Sequence, residues 1–77
     1  MIKFTRHAEE MLLQRGIEKK KVLGCLKNPD IKSAGVNGTL VFLKDYVKNY
    51  LKVIFVRDLG DDIVITLYWI DKKRVKR

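Results

Sequence analysis

The chain is poor in the residues that mark several classes of protein. Its one cysteine, Cys25, cannot form a disulfide within the chain, and no second thiol stands at a zinc-ligand spacing. One proline and five glycines exclude a collagen-like or linker-like chain. The apolar stretches are short and are interrupted by charge, for example at Lys52 and Asp61. The sequence therefore predicts no export signal and no membrane-spanning segment, and we expect a cytoplasmic protein.

Acidic residues are scarce relative to basic ones. Nine Asp and Glu stand against 17 Lys and Arg, which gives a net charge of +8 and a pI near 9.8. The 77 residues suffice for a single domain over 1–77, and a chain of this size buries only about 60% of the surface that its unfolded form exposes. We therefore expect a partner or self-association to add stability, and the charge predicts an anionic partner.

The helical part of the chain is predicted over about 5–28. Thr5 is a favourable N-cap for a first helix over 6–15, and Gly16 is a typical helix stop. A second helix runs from about Glu18 to Lys27, and the Asn28-Pro29-Asp30 segment ends it.

The sheet part is predicted over about 31–70, with a basic tail over 71–77. Asn37-Gly38 is a strong hairpin signal between strands over 31–36 and 39–46, and two further alternating segments follow over 50–57 and 63–70. The brief segment 2–4 has the composition of an edge strand. Two helices followed by strands predict an α+β fold in which the helix pair covers one face of an antiparallel meander of three to four strands.

The last hairpin has a predicted register that pairs Arg57 with Ile63. This register puts one set of side chains on a core face: Leu51, Val53, Phe55, Ile65, Leu67 and Trp69. It places Lys52 beside Tyr68 on the opposite, mixed face. That face is a platform suited to a substrate or a partner.

The chemistry-bearing residues exclude most enzyme classes. The chain has no nucleotide-binding glycine loop, no metal-ligand cluster and no Ser-His-Asp arrangement, so we expect neither metal nor cofactor. Metal-free RNA cleavage needs two proton-transfer groups and positive charge at the phosphate. His7 and Tyr68 are the candidates for proton transfer. The candidate phosphate-binding residues are Arg6, Arg15, Lys52, Arg57, Lys72, Lys73 and Arg74.

Each candidate also has a structural interpretation that the sequence leaves open. His7 can close the start of the first helix, and Arg15 can cover apolar surface with its stem. Tyr68 and Lys52 can form an ordinary cross-strand pair. Trp69 is interpreted as a core residue from its position beside Leu67, and Cys25 is interpreted as a small buried hydrophobe.

Several of these segments resemble a known family. The pairs and triplets concerned are His7-Ala8, Arg15-Gly16-Ile17 with Val22, Asn28-Pro29-Asp30 and the strand 63–68. They resemble the pattern of a family catalogued as domain of unknown function 4258, over about residues 4–70. Members often carry an arginine between the His-Ala pair and the Arg-Gly-Ile turn, where this chain has Met11 and Leu12.

The predicted layout also resembles, more loosely, the RelE/ParE superfamily of small basic toxins, including the BrnT type. This resemblance implies a toxin of a toxin-antitoxin pair that acts on messenger RNA on the ribosome, with an acidic antitoxin as protein partner. We therefore expect a metal-independent endoribonuclease acting on RNA. The alternatives are a non-catalytic nucleic-acid-binding module and a small interaction domain that forms homodimers.

Overall fold

A computed structural model describes residues 1–74 of the chain, apart from the side chain of Arg74. Two helices and five strands follow one another along the chain: β1 (Ile2–Phe4), α1 (Arg6–Arg15), α2 (Lys19–Lys27), β2 (Ile31–Ala34), β3 (Leu40–Asp45), β4 (Asn49–Asp58) and β5 (Asp61–Asp71). Short 3-10 turns occur at Val36–Gly38 and Lys72–Arg74. In this described part, no helix is long and apolar enough to cross a membrane.

The bounds of α1 match the prediction because its caps are encoded locally. The Thr5 hydroxyl accepts a hydrogen bond from the Ala8 amide at 3.1 Å, and this satisfies one of the unpaired N–H groups of the first turn. Gly16 ends the helix with φ 61°, a conformation that favours glycine. α2 lacks a side-chain cap at Glu18 and ends at Lys27, with Asn28 as its C-cap directly before Pro29.

The sheet has five strands in the order β1-β5-β4-β3-β2, rather than the three or four predicted. β2 to β5 form the expected antiparallel meander. The difference is β1, which pairs in parallel with the start of β5, Phe4 lying opposite Val64. The sheet is therefore mixed. A three-residue edge strand carries too little sequence pattern to predict its partner or its direction.

The β2–β3 hairpin forms where Asn37-Gly38 predicted it, but with a longer connection. Asn37 and Gly38 both have positive φ, 54° and 76°. They lie inside the 3-10 turn instead of forming a two-residue loop, and the Gly35 amide donates to the Thr39 carbonyl at 2.8 Å. Consequently β2 ends at Ala34 instead of at residue 36, and β3 begins at Leu40 instead of at residue 39.

The β4–β5 register is correct over one half of the hairpin and wrong over the other. Lys52 lies opposite Tyr68 as predicted, but Phe55 lies opposite Val64 and Arg57 opposite Asp62. A β-bulge between these regions adds one residue to β5 and shifts the pairing by one. The predicted pairing of Arg57 with Ile63 is therefore wrong, because alternation alone does not reveal a bulge.

Both helices cover the same face of the sheet. The buried cluster there joins α1, α2, β3, β4 and β5 around Phe55, Leu51 and Leu67, which are fully buried. Phe42 and Phe55 pack edge-on with ring centroids 4.8 Å apart. We call the other side of the sheet, away from α1 and α2, the open face. Tyr68 and Lys52 lie on it because they alternate with the buried Leu67 and Leu51.

Candidate nucleic-acid interface

Thr5 fixes the start of α1 to the bulged part of β5. Its amide donates to the Val64 carbonyl at 3.0 Å, and its hydroxyl donates to the Ile65 carbonyl at 3.1 Å. The same hydroxyl accepts from the Ala8 amide. Because the cap residue is bonded on both sides, the first turn of α1 is held against β5. The exposed His7 projects from that turn.

His7 reaches a residue of the open face. Its Nε2 lies 3.2 Å from the Thr66 hydroxyl oxygen, and Thr66 stands opposite Ile54 two residues before Tyr68. Side chains two residues apart in a strand share a face, so Thr66 and Tyr68 are neighbours on the open face. The structure thus brings the only histidine of the chain to the side of the sheet that carries Tyr68.

Lys52 completes this group. Its Nζ lies 5.4 Å from the centroid of the Tyr68 ring, within the range of a cation–π contact. The half-buried Tyr68 also packs against the edge of the core under the helices. We call His7, Thr66, Tyr68 and Lys52 the His7 cluster. It combines an imidazole, a phenol, a hydroxyl and an ammonium group.

The two arginines of α1 lie at opposite ends of that helix. Arg6 neighbours His7, is 95% exposed, and has its Nε 3.6 Å from a carboxylate oxygen of Glu10. Such an exposed pair is weak, so the guanidinium is available to an anion. Arg15 lies in the last turn, about 12 Å from His7 along the axis at 1.5 Å per residue. The structure therefore places Arg6 beside the His7 cluster and Arg15 away from it.

The remaining predicted cations are dispersed. Arg57 lies near the β4–β5 turn, where Nε and Nη2 donate to Asp62 at 2.7 and 3.3 Å. This carboxylate raises the pKa of the guanidinium. Lys72 lies at the far end of the sheet, with its Nζ 2.6 Å from Asp45, and the exposed Lys73 follows it. The side chain of Arg74 and residues 75–77 of the predicted tail lie outside the described residues.

A second group of residues, which the sequence did not predict, lies at that far end. Lys21, Tyr46, Lys48, Asn49 and Trp69 line a cavity of about 180 Å³. The rings of Tyr46 and Trp69 meet at 88°, with centroids 6.0 Å apart. A signal was present, since Lys19, Lys20 and Lys21 stand in the unfavourable first turn of a helix. Nothing in the sequence pattern placed Tyr46 and Trp69 next to them.

Cys25 has the buried position that the sequence predicted. Its Sγ faces the carbonyl oxygens of Phe42 and Leu51 at 3.5 and 3.7 Å. Burial raises the thiol pKa to about 12, against a partial lowering by Lys44. Cys25 is therefore a packing residue. Elsewhere in residues 1–74, no three His, Cys, Asp or Glu side chains are grouped so as to hold a metal ion.

A helix pair on one face of a mixed sheet, with lysines of α2 and β4 against the aromatic rings of β5, defines a small basic α+β domain. Residues 4–69 match the model of the family described as domain of unknown function (DUF4258), and the chain belongs to this family. The family prediction from His7-Ala8 and Arg15-Gly16-Ile17 is confirmed. Comparisons with curated proteins and with solved structures found no match.

Proposed function

We propose that this protein is a metal-independent endoribonuclease, similar in kind to the RelE/ParE-type toxins. The observation that carries the proposal is the 3.2 Å contact between His7 Nε2 and Thr66 Oγ1, which brings the histidine to the face that holds Tyr68 and Lys52. The net charge of +8 supports a polyanionic substrate. An acidic antitoxin is the corresponding protein partner, and messenger RNA on the ribosome is the corresponding substrate.

The reaction uses the RNA's own 2′-hydroxyl as nucleophile. His7, as neutral imidazole, accepts the 2′-hydroxyl proton while the 2′-oxygen forms a bond to phosphorus. The bond from phosphorus to the 5′-oxygen breaks, and the Tyr68 phenol donates a proton to that leaving oxygen. The products are a 2′,3′-cyclic phosphate and a free 5′-hydroxyl. Each proton removed is matched by one donated.

Positive charge stabilises the phosphorane-like transition state. Lys52 lies against Tyr68, and Arg6 adjoins His7 at the start of α1, where unpaired N–H groups and the helix dipole favour an anion. Arg57 contributes less in this scheme because Asp62 holds it. Lys72 is likewise held by Asp45, so the exposed Lys73 at the other end of the sheet is the stronger candidate to bind a flanking phosphate.

Incubation of the purified protein with single-stranded RNA in EDTA tests this proposal. We expect cleavage with 2′,3′-cyclic phosphate ends, and a loss of about 100-fold or more in rate for His7→Ala, with a smaller loss for Tyr68→Phe. Gln14→Ala is the matched control, since Gln14 is an exposed residue of α1 outside the His7 cluster. Intact RNA with the wild-type protein, or equal cleavage by His7→Ala, would reject the assignment.

A second candidate function is self-association through the open face. Most of its side chains are apolar and half-buried or buried: Ile31, Val41, Leu43, Ile54, Val56, Ile63 and Ile70. Leu43 is buried yet lies outside the cluster under the helices. An apolar surface of this extent is typical of an interface. A second copy is the expected occupant. Among the described residues of β2–β5 that lie on the open face, Lys52 is the one lysine or arginine. Repulsion between like charges on two copies is therefore small.

A further inference from the structure

The cavity at the far end of the sheet is built by residues from three elements. Lys21 comes from α2, Trp69 from β5, and Tyr46, Lys48 and Asn49 from the β3–β4 connection and the start of β4. Its volume of about 180 Å³ is below the roughly 300–1,000 Å³ typical of sites for drug-sized ligands. The cavity has room for a single planar ring rather than for a large molecule.

Two of its walls are aromatic rings held at a right angle. Tyr46 and Trp69 meet edge-on with an interplanar angle of 88°. The Tyr46 hydroxyl donates to the Lys21 carbonyl at 2.6 Å, and its amide donates to the Asn49 carbonyl at 3.0 Å. A Cβ at Gly24 would lie 2.8 Å from that hydroxyl, so the glycine provides the space for this ring. The rings of Tyr46 and Trp69 are therefore held in place, and we call the angle between them the aromatic corner.

Three lysines stand at the same corner. Lys21 Nζ lies 5.4 Å from the Tyr46 centroid and 5.5 Å from the Trp69 centroid, and Lys44 Nζ lies 5.9 Å from the Tyr46 centroid. Lys48 is exposed at the rim. None of the residues that line the cavity is acidic. An aromatic corner alone would suit a quaternary ammonium group, but these lysines repel a cation and favour an anion.

We propose that this aromatic corner binds one unpaired nucleobase of single-stranded RNA. The base stacks on Trp69, Lys21 and Lys48 bind the adjoining phosphate, and the Asn49 amide meets the edge of the base. The inference rests on the proposed function in taking RNA as the polymer. Trp69 follows Tyr68 in β5, so the corner and the His7 cluster lie on opposite sides of one strand.

The neighbouring strand β1 pairs only with the start of β5. β1 ends at Phe4 opposite Val64, so it does not pair with β5 beyond that point. An RNA strand that crosses this edge of β5 can place a base in the corner and a phosphate at the His7 cluster. Trp69 follows Thr66 by three residues, about 10 Å along β5, so the corner selects an unpaired base close to the cleaved bond.

Trp69 is the one tryptophan of the chain, so its fluorescence reports directly on the corner. We expect uridine 5′-monophosphate to quench it in a saturable titration and inorganic phosphate at equal concentration to leave it unchanged. Lys48→Ala weakens the quenching several-fold. Lys27→Ala is the matched control and leaves it unchanged, because the exposed Lys27 lies in α2 outside the cavity. Binding of a fluorescein-labelled oligouridylate is measured alongside by anisotropy.

The second measurement compares that oligouridylate with an abasic ribose-phosphate chain of equal length. Loss of stacking weakens binding about tenfold or more if the corner holds a base. Equal binding of both chains, with Trp69 fluorescence unchanged, overturns this proposal while leaving the RNA-directed function in place. Quenching by uridine 5′-monophosphate without RNA binding or cleavage rejects the proposed function and retains a mononucleotide site. Quenching by tetramethylammonium instead overturns the anionic assignment.

Discussion

Single residues of this protein owe their chemistry to burial and to the strand geometry around them. Cys25 and His7 are each the only residue of their kind in the chain. Cys25 is fully buried on the inner side of α2, and burial raises its pKa to about 12. His7 is exposed at the start of α1. The exposed His7 is therefore accessible to a substrate, whereas the buried Cys25 is unreactive.

The buried thiol makes stability depend on pH. The ordinary pKa of 9.0 applies to the unfolded chain and about 12 to the folded one, so the unfolded chain loses the proton first as pH rises. We expect the free energy of unfolding to fall between pH 9 and about 12, and to be independent of this group below pH 9.

Urea unfolding of the wild type and of Cys25→Ala at several pH values measures this effect. Other groups that titrate in the same range affect both proteins, so the difference between their slopes isolates the thiol. Equal slopes above pH 9 would show that Cys25 does not contribute. Alkylation by iodoacetamide gives a second readout, and we expect the folded protein to react far more slowly than the urea-unfolded protein.

At the scale of elements, the β4–β5 hairpin determines where the candidate groups lie. The bulge in β5 turns Val64 toward the core and leaves the Ile65 carbonyl to accept from Thr5. This bond places the start of α1 beside Thr66. The position of His7 is therefore a consequence of an irregularity in a strand that adjoins it in space.

The turn of this hairpin contains a conformation that leucine adopts at a cost. Leu59 has φ 49° and Gly60 has φ 84°, the positive pair of a tight two-residue turn, and Leu59 is 97% exposed. Asparagine tolerates this conformation better than leucine. We expect Leu59→Asn to raise the free energy of unfolding by about 0.5–1 kcal/mol, as measured by urea denaturation.

Leu59→Ala is the control for that experiment. It removes the same exposed side chain but keeps the strained backbone of a non-glycine residue, so its stability should be near that of the wild type. A gain in Leu59→Ala equal to that in Leu59→Asn would mean that the loss of exposed apolar surface, and not the backbone, determines the effect.

At the scale of the whole molecule, the charge and the apolar surface occupy different places. The open face is largely apolar, whereas the lysines around the aromatic corner and those of α2 lie at one end and on the helix side. A polyanion and a second copy of the chain therefore have different preferred surfaces. The two surfaces overlap at the His7 cluster, which a dimer through the open face would cover.

Light scattering over a range of protein concentrations tests self-association through the open face. We expect the wild type to dimerise and Ile54→Lys to remain monomeric, because a buried charge without a partner is costly at an apolar interface. Leu13→Lys is the control, since Leu13 is 85% exposed on α1 and its substitution should leave the dimer intact. Circular dichroism confirms that both variants fold. A wild-type protein that stays monomeric at every concentration would exclude this function.

Much of the secondary structure followed from local chemistry. Thr5 and Gly16 bound α1, Pro29 follows the end of α2, and the alternation of β4 paired Lys52 with Tyr68, because caps, proline and side-chain period act within a few residues. The family also followed from short segments, which match over residues 4–69.

Only the tertiary structure decided how these elements meet. The parallel pairing of β1 and the corner of Tyr46 and Trp69 join residues that are far apart in the chain, and the Ile65 carbonyl at the bulge in β5 accepts from the distant Thr5. They depend on which contacts fill the core best, and a period of two or of 3.6 residues carries no such information. The types of groups available for function were set locally, whereas their grouping around His7 and around Trp69 was set by packing.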